Sequence, residues 1–417
     1  TQEISVMKKS GFFIPAIILF ASQLFFCSSS EKSSQGYQQT SSEPRLLKLH
    51  YENSSGENGV TTFDYHPDGT IHVAVWELTD GSRNSLNFYD YNEEGQLVRK
   101  YREFSDSLTS SQTYQYDEKG TLVIENFERS DGVTGVTKYE YDEKGRLIKA
   151  DCQALNGWFH GLITYEYNQA GQKVKGHITQ KGQPTGTIEY SYDENGHLKR
   201  EYWDFSGKWN QTFVREYEVC RTKFPEFYTS SNVFIDNSGI YRISKEDYDF
   251  SNQTGGPSLY TYDDSGKLIQ KRFVRSDGLS TTTFFLYDCE GNLTKSYRKY
   301  SNGRTAVFIY EFNDNRKLIR RSYKRTDGIQ GTESYQYDED SKLIKAIYDN
   351  FDSWLTGTIT FSYDKNSHLA EGFYEGSNGS SAKIFFVYSK NRNLEKIQWD
   401  FSFDRTQTYT FSYEKNK

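Results

Sequence analysis

The residues with the most obvious chemical potential are adjacent carboxylates. Asp142-Glu143 and Asp193-Glu194 could act as a general acid and base, or as oxygen ligands for calcium. The same arrangement, however, recurs at the same place in a long series of near-identical phrases, and catalysis needs one constellation and not an array. No phrase supplies the clustered oxygens of an EF-type loop, and an Asp that opens a tight turn caps backbone amides there. The seven histidines (His50, His66, His72, His160, His177, His197, His368) are scattered, with no HExxH and no pair at metal spacing. GxSxG, P-loop and glycine-rich phosphate patterns do not occur. The expectation is a chain that is not an enzyme, with no catalytic residue, no metal site and no cofactor. A net charge of −7, built from 50 Lys and Arg against 57 Asp and Glu, gives no footprint for nucleic acid.

Two other residue types carry chemistry. An exposed indole stacks on a pyranose face, so Trp76, Trp158, Trp203, Trp209, Trp354 and Trp399 are candidates for a ligand-stacking surface, glycan or peptidoglycan. Against that, a chain with 34 Tyr and 29 Phe must bury most of its rings. Cys152, Cys220 and Cys289 stand in different phrases; a disulfide among them and free buried thiols both suit an exported chain. Cys27 stands apart. It follows Lys8-Lys9 and the apolar run "GFFIPAIILFASQLFF", a basic region and a hydrophobic region in the order of a secretory signal. A Ser-rich stretch with the composition of a flexible tether comes next. The start resembles a bacterial lipoprotein signal: Leu24 fits the position three before the cysteine, Phe26 departs from the small residue usual there, and the resemblance implies a lipidation site at Cys27, with a plain cleaved signal peptide or an uncleaved N-terminal anchor as the alternatives. Met7 is the single methionine, so residues 1–6 are expected not to be native.

The elements that hold these residues come from the repeated phrase itself. Aligned on one aromatic position, it recurs at Tyr65, Tyr91, Tyr116, Tyr141, Tyr167, Tyr192 and Tyr217, then at Tyr262, Tyr287, Phe312, Tyr337, Tyr363, Tyr388 and Tyr413, every step but one being 25 or 26 residues. In "TIEYSYD", Ile188, Tyr190 and Tyr192 fall on one face and Glu189 and Ser191 on the other; "TITFSYD" repeats the pattern with Ile359, Phe361 and Tyr363. A tight turn follows. In Tyr116 to Gly120 the glycine supplies the positive φ of a type I turn with a G1 bulge. A second turn comes about 16 residues after each Tyr, at Asp131-Gly132, Asn156-Gly157, Asp277-Gly278, Asn302-Gly303 and Asp327-Gly328. Late in the chain the first-turn glycine gives way to Arg316, Ser341, Ser367 and Arg392, preceded by Asn315, Asp340, Asn366 and Asn391. Asn and Asp tolerate the left-handed region, so the bend is expected to shift by one position there.

Each unit is therefore a two-stranded antiparallel hairpin, and the array is an all-β meander. So many strands cannot remain one flat sheet. The expected fold is tandem hairpin repeats of about 25 residues curled into a spiral or barrel-like shell, with a β-propeller of paired units as the alternative.

The phrases "YQYDEKGTL" (114–122), "YEYDEKGRL" (139–147), "YSYDENGHL" (190–198) and "YTYDDSGKL" (260–268) resemble the YD repeat of RHS-type bacterial proteins, over about residues 60–413. That resemblance implies a β-sheet shell, which in toxin members encloses a C-terminal payload. Here the repeats run to Tyr413, and no payload or Pro- and Asp-rich processing segment is seen.

The expected organisation is a signal-like segment at 1–27, a tether and lead-in at 28–59, a first array at 60–217, an irregular seam at 218–256 and a second array at 257–417. The leading functional expectation is an exported, lipid-anchored, non-enzymatic binding or scaffold module of the bacterial cell envelope. It would be an outer-membrane lipoprotein facing the periplasm or the cell surface, with the membrane, a glycan or an envelope protein as partners. The alternatives are a carbohydrate-binding surface protein, a toxin-related shell component without payload, and a hydrolase whose carboxylates would come from the seam, where Glu218, Glu226, Asp236 and Glu246 are available.

Overall fold

A computed structural model describes residues 44–415 except 67, 156–159, 181–182, 207–208, 220–240, 251–254, 264–265, 289–290, 351–355, 391–392 and 403–404. The described residues form 28 β-strands and no helix. None of them builds a helix long and apolar enough to cross a membrane. The chain divides into two compact units, and each contains a closed antiparallel barrel of 14 strands joined in sequence order. The first barrel runs from Pro44–Asn53 to Asn210–Val219, and those two strands are neighbours that close it. The second runs from Tyr241–Phe250 to Arg405–Lys415, closed by a register that pairs Tyr241 with Lys415 and Phe250 with Gln407. Pro44–Asn53 lies within the expected lead-in, and Tyr241–Phe250 within the expected seam; in the structure each is the first strand of its barrel.

The barrel-like reading holds, and the propeller does not form. Consecutive strands are hydrogen-bonded neighbours all the way round each ring, so no step jumps between blades. Closure removes the exposed edges that an open meander of this length would leave.

The hairpin turn is encoded by three residues of the phrase. Asp117 N donates to Thr121 O and Gly120 N to Asp117 O, both at 2.9 Å. The Asp117 carboxylate accepts from Lys119 N at 2.9 Å and Thr121 N at 2.8 Å, and Gly120 sits at φ +79°. The bulge appears as a register shift between Gln115 and Tyr116. Equivalent bonds recur at Asp142, Asn168, Asp193, Asp338 and Asp364. The acidic residues of the phrase are thus turn caps.

The late turns differ from expectation. Positive φ falls on Arg316 (+59°), Ser341 (+63°) and Ser367 (+64°) themselves, not on the Asn or Asp before them; Asn391 and Arg392 lie outside the described residues. The bend keeps its place because the turn is a closed ring of bonds: Asn313 N donates to Lys317 O and Arg316 N to Asn313 O. Moving the left-handed residue would break both. Each of these side chains therefore tolerates a backbone that costs roughly 1–2 kcal/mol outside glycine.

Tyr91 accepts from Ile71 N at 3.0 Å; at the following tyrosines the aligned residue has one task. Its hydroxyl donates to the backbone carbonyl that begins the return strand of the preceding unit, 19 or 20 residues back: Tyr116 to Leu97 at 2.8 Å, Tyr141 to Leu122 at 2.9 Å, Tyr167 to Leu147 at 2.8 Å, Tyr192 to Lys173 at 2.9 Å. Tyr262, Tyr287, Tyr337 and Tyr413 do the same in the second barrel. Several of these rings lie under a polar or cationic side chain from the preceding turn, as Tyr167 lies under Arg146 and Tyr217 beside His197. Each hairpin is laced to its neighbour along one rim.

Candidate functional site

Strand register decides which side chains face inward. In the first barrel, cross-strand pairs Tyr114–Glu125, Tyr139–Ala150, Ile188–Trp203 and Tyr190–Glu201 carry the aromatic row around the interior. The residue nine positions after each aligned Tyr always lands opposite that row: Lys100, Glu125, Ala150, Gly176 and Glu201 here, and Lys271, Ser296, Arg321, Ala346 and Gly372 in the second barrel. In these copies it is either small, making room for a ring or an isoleucine, or charged; after Tyr388 it is Ile397, opposite Phe386. A Cβ on Gly176 would come within 3.1 Å of Ile188.

The charged members of this row, buried or nearly so, and the carboxylates and cations that pair with them form the chemically distinctive feature of both units. Glu201, 2% exposed, accepts from Trp203 Nε1 at 2.6 Å and from Arg215 at 3.0 Å. Burial pushes the Glu201 carboxyl up and the Arg215 guanidinium down, each opposed by the other's charge. Glu246 in the second barrel accepts from the Tyr260 hydroxyl and, at 2.7 Å, from Lys271. Glu333 accepts from Tyr335 at 2.7 Å and from Arg321. Glu125, also 2% exposed, accepts from Tyr139 at 2.9 Å, and burial raises its carboxyl while lowering the ammonium of Lys100 nearby. A carboxylate held by a cation and an aromatic donor is occupied, and its attraction to the cation compensates the cost of leaving water. Nothing in this geometry presents a free nucleophile or a base to solvent.

The expected site residues fall differently. Trp76, Trp203 and Trp399 are 3%, 3% and 8% exposed and pack inside the barrels, Trp76 against Phe104 and Trp399 against Phe401. These three do not form an exposed stacking face, because their alternation places them with the aromatic row. Trp209 is half-buried against Phe205. Trp158, Trp354 and Cys27 lie outside the described residues, as do Cys220, Cys289, Glu226 and Asp236; nothing is described of the Glu218 side chain. Cys152 is a free buried thiol. Of the seam carboxylates, Glu246 is the one placed in an interior, where Tyr260 and Lys271 engage it. Among the described residues no three His, Cys, Asp or Glu side chains group as metal ligands.

Outward positions are the reverse of the interior. Lys138, Glu140, Glu166, Glu189, Arg200 and Glu216 are exposed in the first barrel, and Glu311, Arg320, Glu371 and Lys383 in the second, with Ile148, Leu259, Ile309, Phe373 and Val387 exposed among them.

The tandem YD phrases, each folded as a tyrosine-laced hairpin and closed into a 14-strand barrel, have the form of a YD-repeat shell. Residues 28–214 match the Teneurin YD-shell family, a span that takes in the described part of the first barrel up to its last strand. No curated protein matches the chain. Among solved structures, TcdB2-TccC3 is 13% identical over 84% of this chain and 27% of its own, with a TM-score of 0.20. The Tc holotoxin pore of Photorhabdus luminescens is 14% identical over 86% of this chain and 19% of its own, also at 0.20. A porin-like protein from Bacteroides uniformis is 11% identical over 58% of this chain and 94% of its own, at 0.26. The chain thus spans about a quarter or less of the toxin-complex chains it resembles.

Proposed function

We propose that this protein is a non-enzymatic scaffold module of a bacterial cell envelope, exported and held to a membrane by a lipid on Cys27. The observation that carries the non-enzymatic reading is the occupation of the buried carboxylates: Glu201, Glu246 and Glu333 are each engaged by a cation and an aromatic donor, which commits the acidic groups of the interior to holding the barrel. Aromatic packing supports a solid body in preference to a container, since the inward rings and aliphatic side chains form one continuous core in each unit. The anchoring reading is supported by Lys8-Lys9, the apolar run and Cys27. The Ser-rich composition between Cys27 and the first strand suits a tether between a membrane and the barrels. A charged outer wall on such a tether suits contact with a neighbouring envelope protein.

The test is expression of the full chain and of Cys27→Ala in a bacterium that processes lipoproteins, followed by detergent-phase partition and mass spectrometry of the N-terminal peptide. Lipid mass on Cys27 and loss of membrane partition in the variant are expected. A wild-type chain recovered without lipid overturns the anchoring. Trypsin shaving of intact cells, with a periplasmic protein as lysis control, then separates the cell surface from the periplasm.

A further inference from the structure

Glu125 differs from the other three buried carboxylates. Its Oε2 accepts from Tyr139, but its Oε1 is buried with no hydrogen-bond partner in the protein, and so are Gln112 Nε2 and Ser110 Oγ. All three side chains are at least nine-tenths buried, at 2%, 1% and 3% exposure. They face inward on two neighbouring strands, Ser110 and Gln112 on Thr109–Tyr116 and Glu125 on Leu122–Arg129. Gln112 stands opposite Phe127 and Tyr114 opposite Glu125, so Gln112 and Glu125 are diagonal neighbours. Lys100 is opposite Gln112, Arg102 opposite Ser110, and Thr137 opposite Glu125. The Gln112 amide and the Glu125 carboxylate thus stand close in an aromatic interior, with the Thr137 hydroxyl opposite Glu125 and Ser110 further along the same strand as Gln112.

We infer that this row is a built internal site for a small neutral hydrogen-bonding molecule, and that in the closed barrel its occupant is water, bridging the Gln112 amide to the second oxygen of Glu125. The chemistry is specific. A bridging water accepts from Gln112 Nε2, donates to Glu125 Oε1 and keeps one further bond for Thr137, opposite Glu125, which is the coordination typical of buried water. An anion is disfavoured by the carboxylate. A second cation is disfavoured by Lys100 and Arg102, which line the strand next to it. Water-sized molecules are also what reaches an interior whose polar atoms are shielded from bulk solvent. The corresponding positions of Glu201 and Glu333 need no such guest, because a tryptophan or tyrosine and an arginine take both oxygens.

Magnetic relaxation dispersion of ¹⁷O water on the whole protein counts long-lived internal waters. The paired comparison is wild type against Ser110→Ala combined with Gln112→Met, with circular dichroism showing that the barrel signal is kept. Loss of at least one long-lived water in the variant is expected; an unchanged dispersion amplitude overturns the inference. Should the variant not fold, the crystal structure of the wild-type protein decides. Density for a water within about 3.2 Å of both Gln112 Nε2 and Glu125 Oε1 supports the site, whereas a direct Gln112–Glu125 bond with nothing between them refutes it.

Discussion

Phe312 occupies the aligned position that is tyrosine in the thirteen other copies, and it therefore lacks the hydroxyl that laces one hairpin to the next. Its missing partner can be named. The lace spans 19 residues at Tyr287 and Tyr337, so the acceptor opposite Phe312 is the Leu293 carbonyl, at the start of the strand Leu293–Tyr300. Phe312 pairs with Leu318 across a bulge just as Tyr337 pairs with Leu343, so the ring already has the required direction. Phe312→Tyr should add one bond of about 2.8–2.9 Å, the length seen at its neighbours, and contribute about 1 kcal/mol net of the water it displaces. For a unit of this size that is a rise of roughly 2–4 °C in the melting transition of the second barrel. The reciprocal change Tyr337→Phe should lower it by a similar amount. Differential scanning calorimetry of the two variants and the wild type checks both. If Phe312→Tyr leaves the transition unchanged while Tyr337→Phe lowers it, the ring alone was the useful part at position 312; if neither moves, the lace is not a source of stability.

Three further outcomes follow from the same geometry. Glu201→Gln leaves Arg215, whose side chain is 1% exposed, without its counter-charge and should cost about 3–5 kcal/mol in urea unfolding, whereas Glu201→Gln with Arg215→Met should recover most of that loss. The turn carboxylates Asp117, Asp142 and Asp364 are held below the usual range, Asp117 and Asp364 chiefly by backbone amides and Asp142 by Arg146, and Asp277 is held at about 2 by Arg275. Because the folded value is depressed, their contribution is complete above the unfolded value near 3.9 and is lost as pH falls toward about 2. Acid titration followed by circular dichroism should show stability declining over that interval. Cys152, its thiol pushed up to about 12 by burial, should resist a thiol reagent at pH 8 in the folded protein and react at once in denaturant; rapid labelling of the native chain would refute its placement.

What the sequence makes legible is local. Asp117 and Gly120 announce their turn because the bonds they make close within five residues, and Tyr190 and Ile188 announce a shared face because alternation needs nothing beyond the strand. The late turns misled the reading for a related reason: residue preference favoured Asp340 for the left-handed position, whereas the hydrogen-bonded ring assigned it to Ser341. The interior charges were illegible because Glu201 and Arg215 are fourteen residues apart on neighbouring strands, and only the register brings them together. One signal was available, the position nine residues after the aligned Tyr, where Lys100, Glu125, Glu201, Lys271 and Arg321 break a series that is otherwise mostly Ala, Gly or Ser. The tryptophans could be placed inside or outside by composition alone, and the bulge beside each turn resets the alternation that would have decided it.

Closure has a consequence for how such a chain can change length. An open solenoid grows or shrinks by one repeat at a time, since its ends stay ends. In a ring of 14 strands, one extra hairpin inserts two strands of about 4.8 Å spacing each. The circumference widens by about 10 Å and the girth opens a void that the existing rings cannot fill. Repeat number is therefore quantised by the geometry of the hoop. Single-unit duplication and deletion, the ordinary mutations of tandem arrays, are purged by packing, and viable variation in such a lineage is confined to substitution within units or to the gain and loss of a whole barrel.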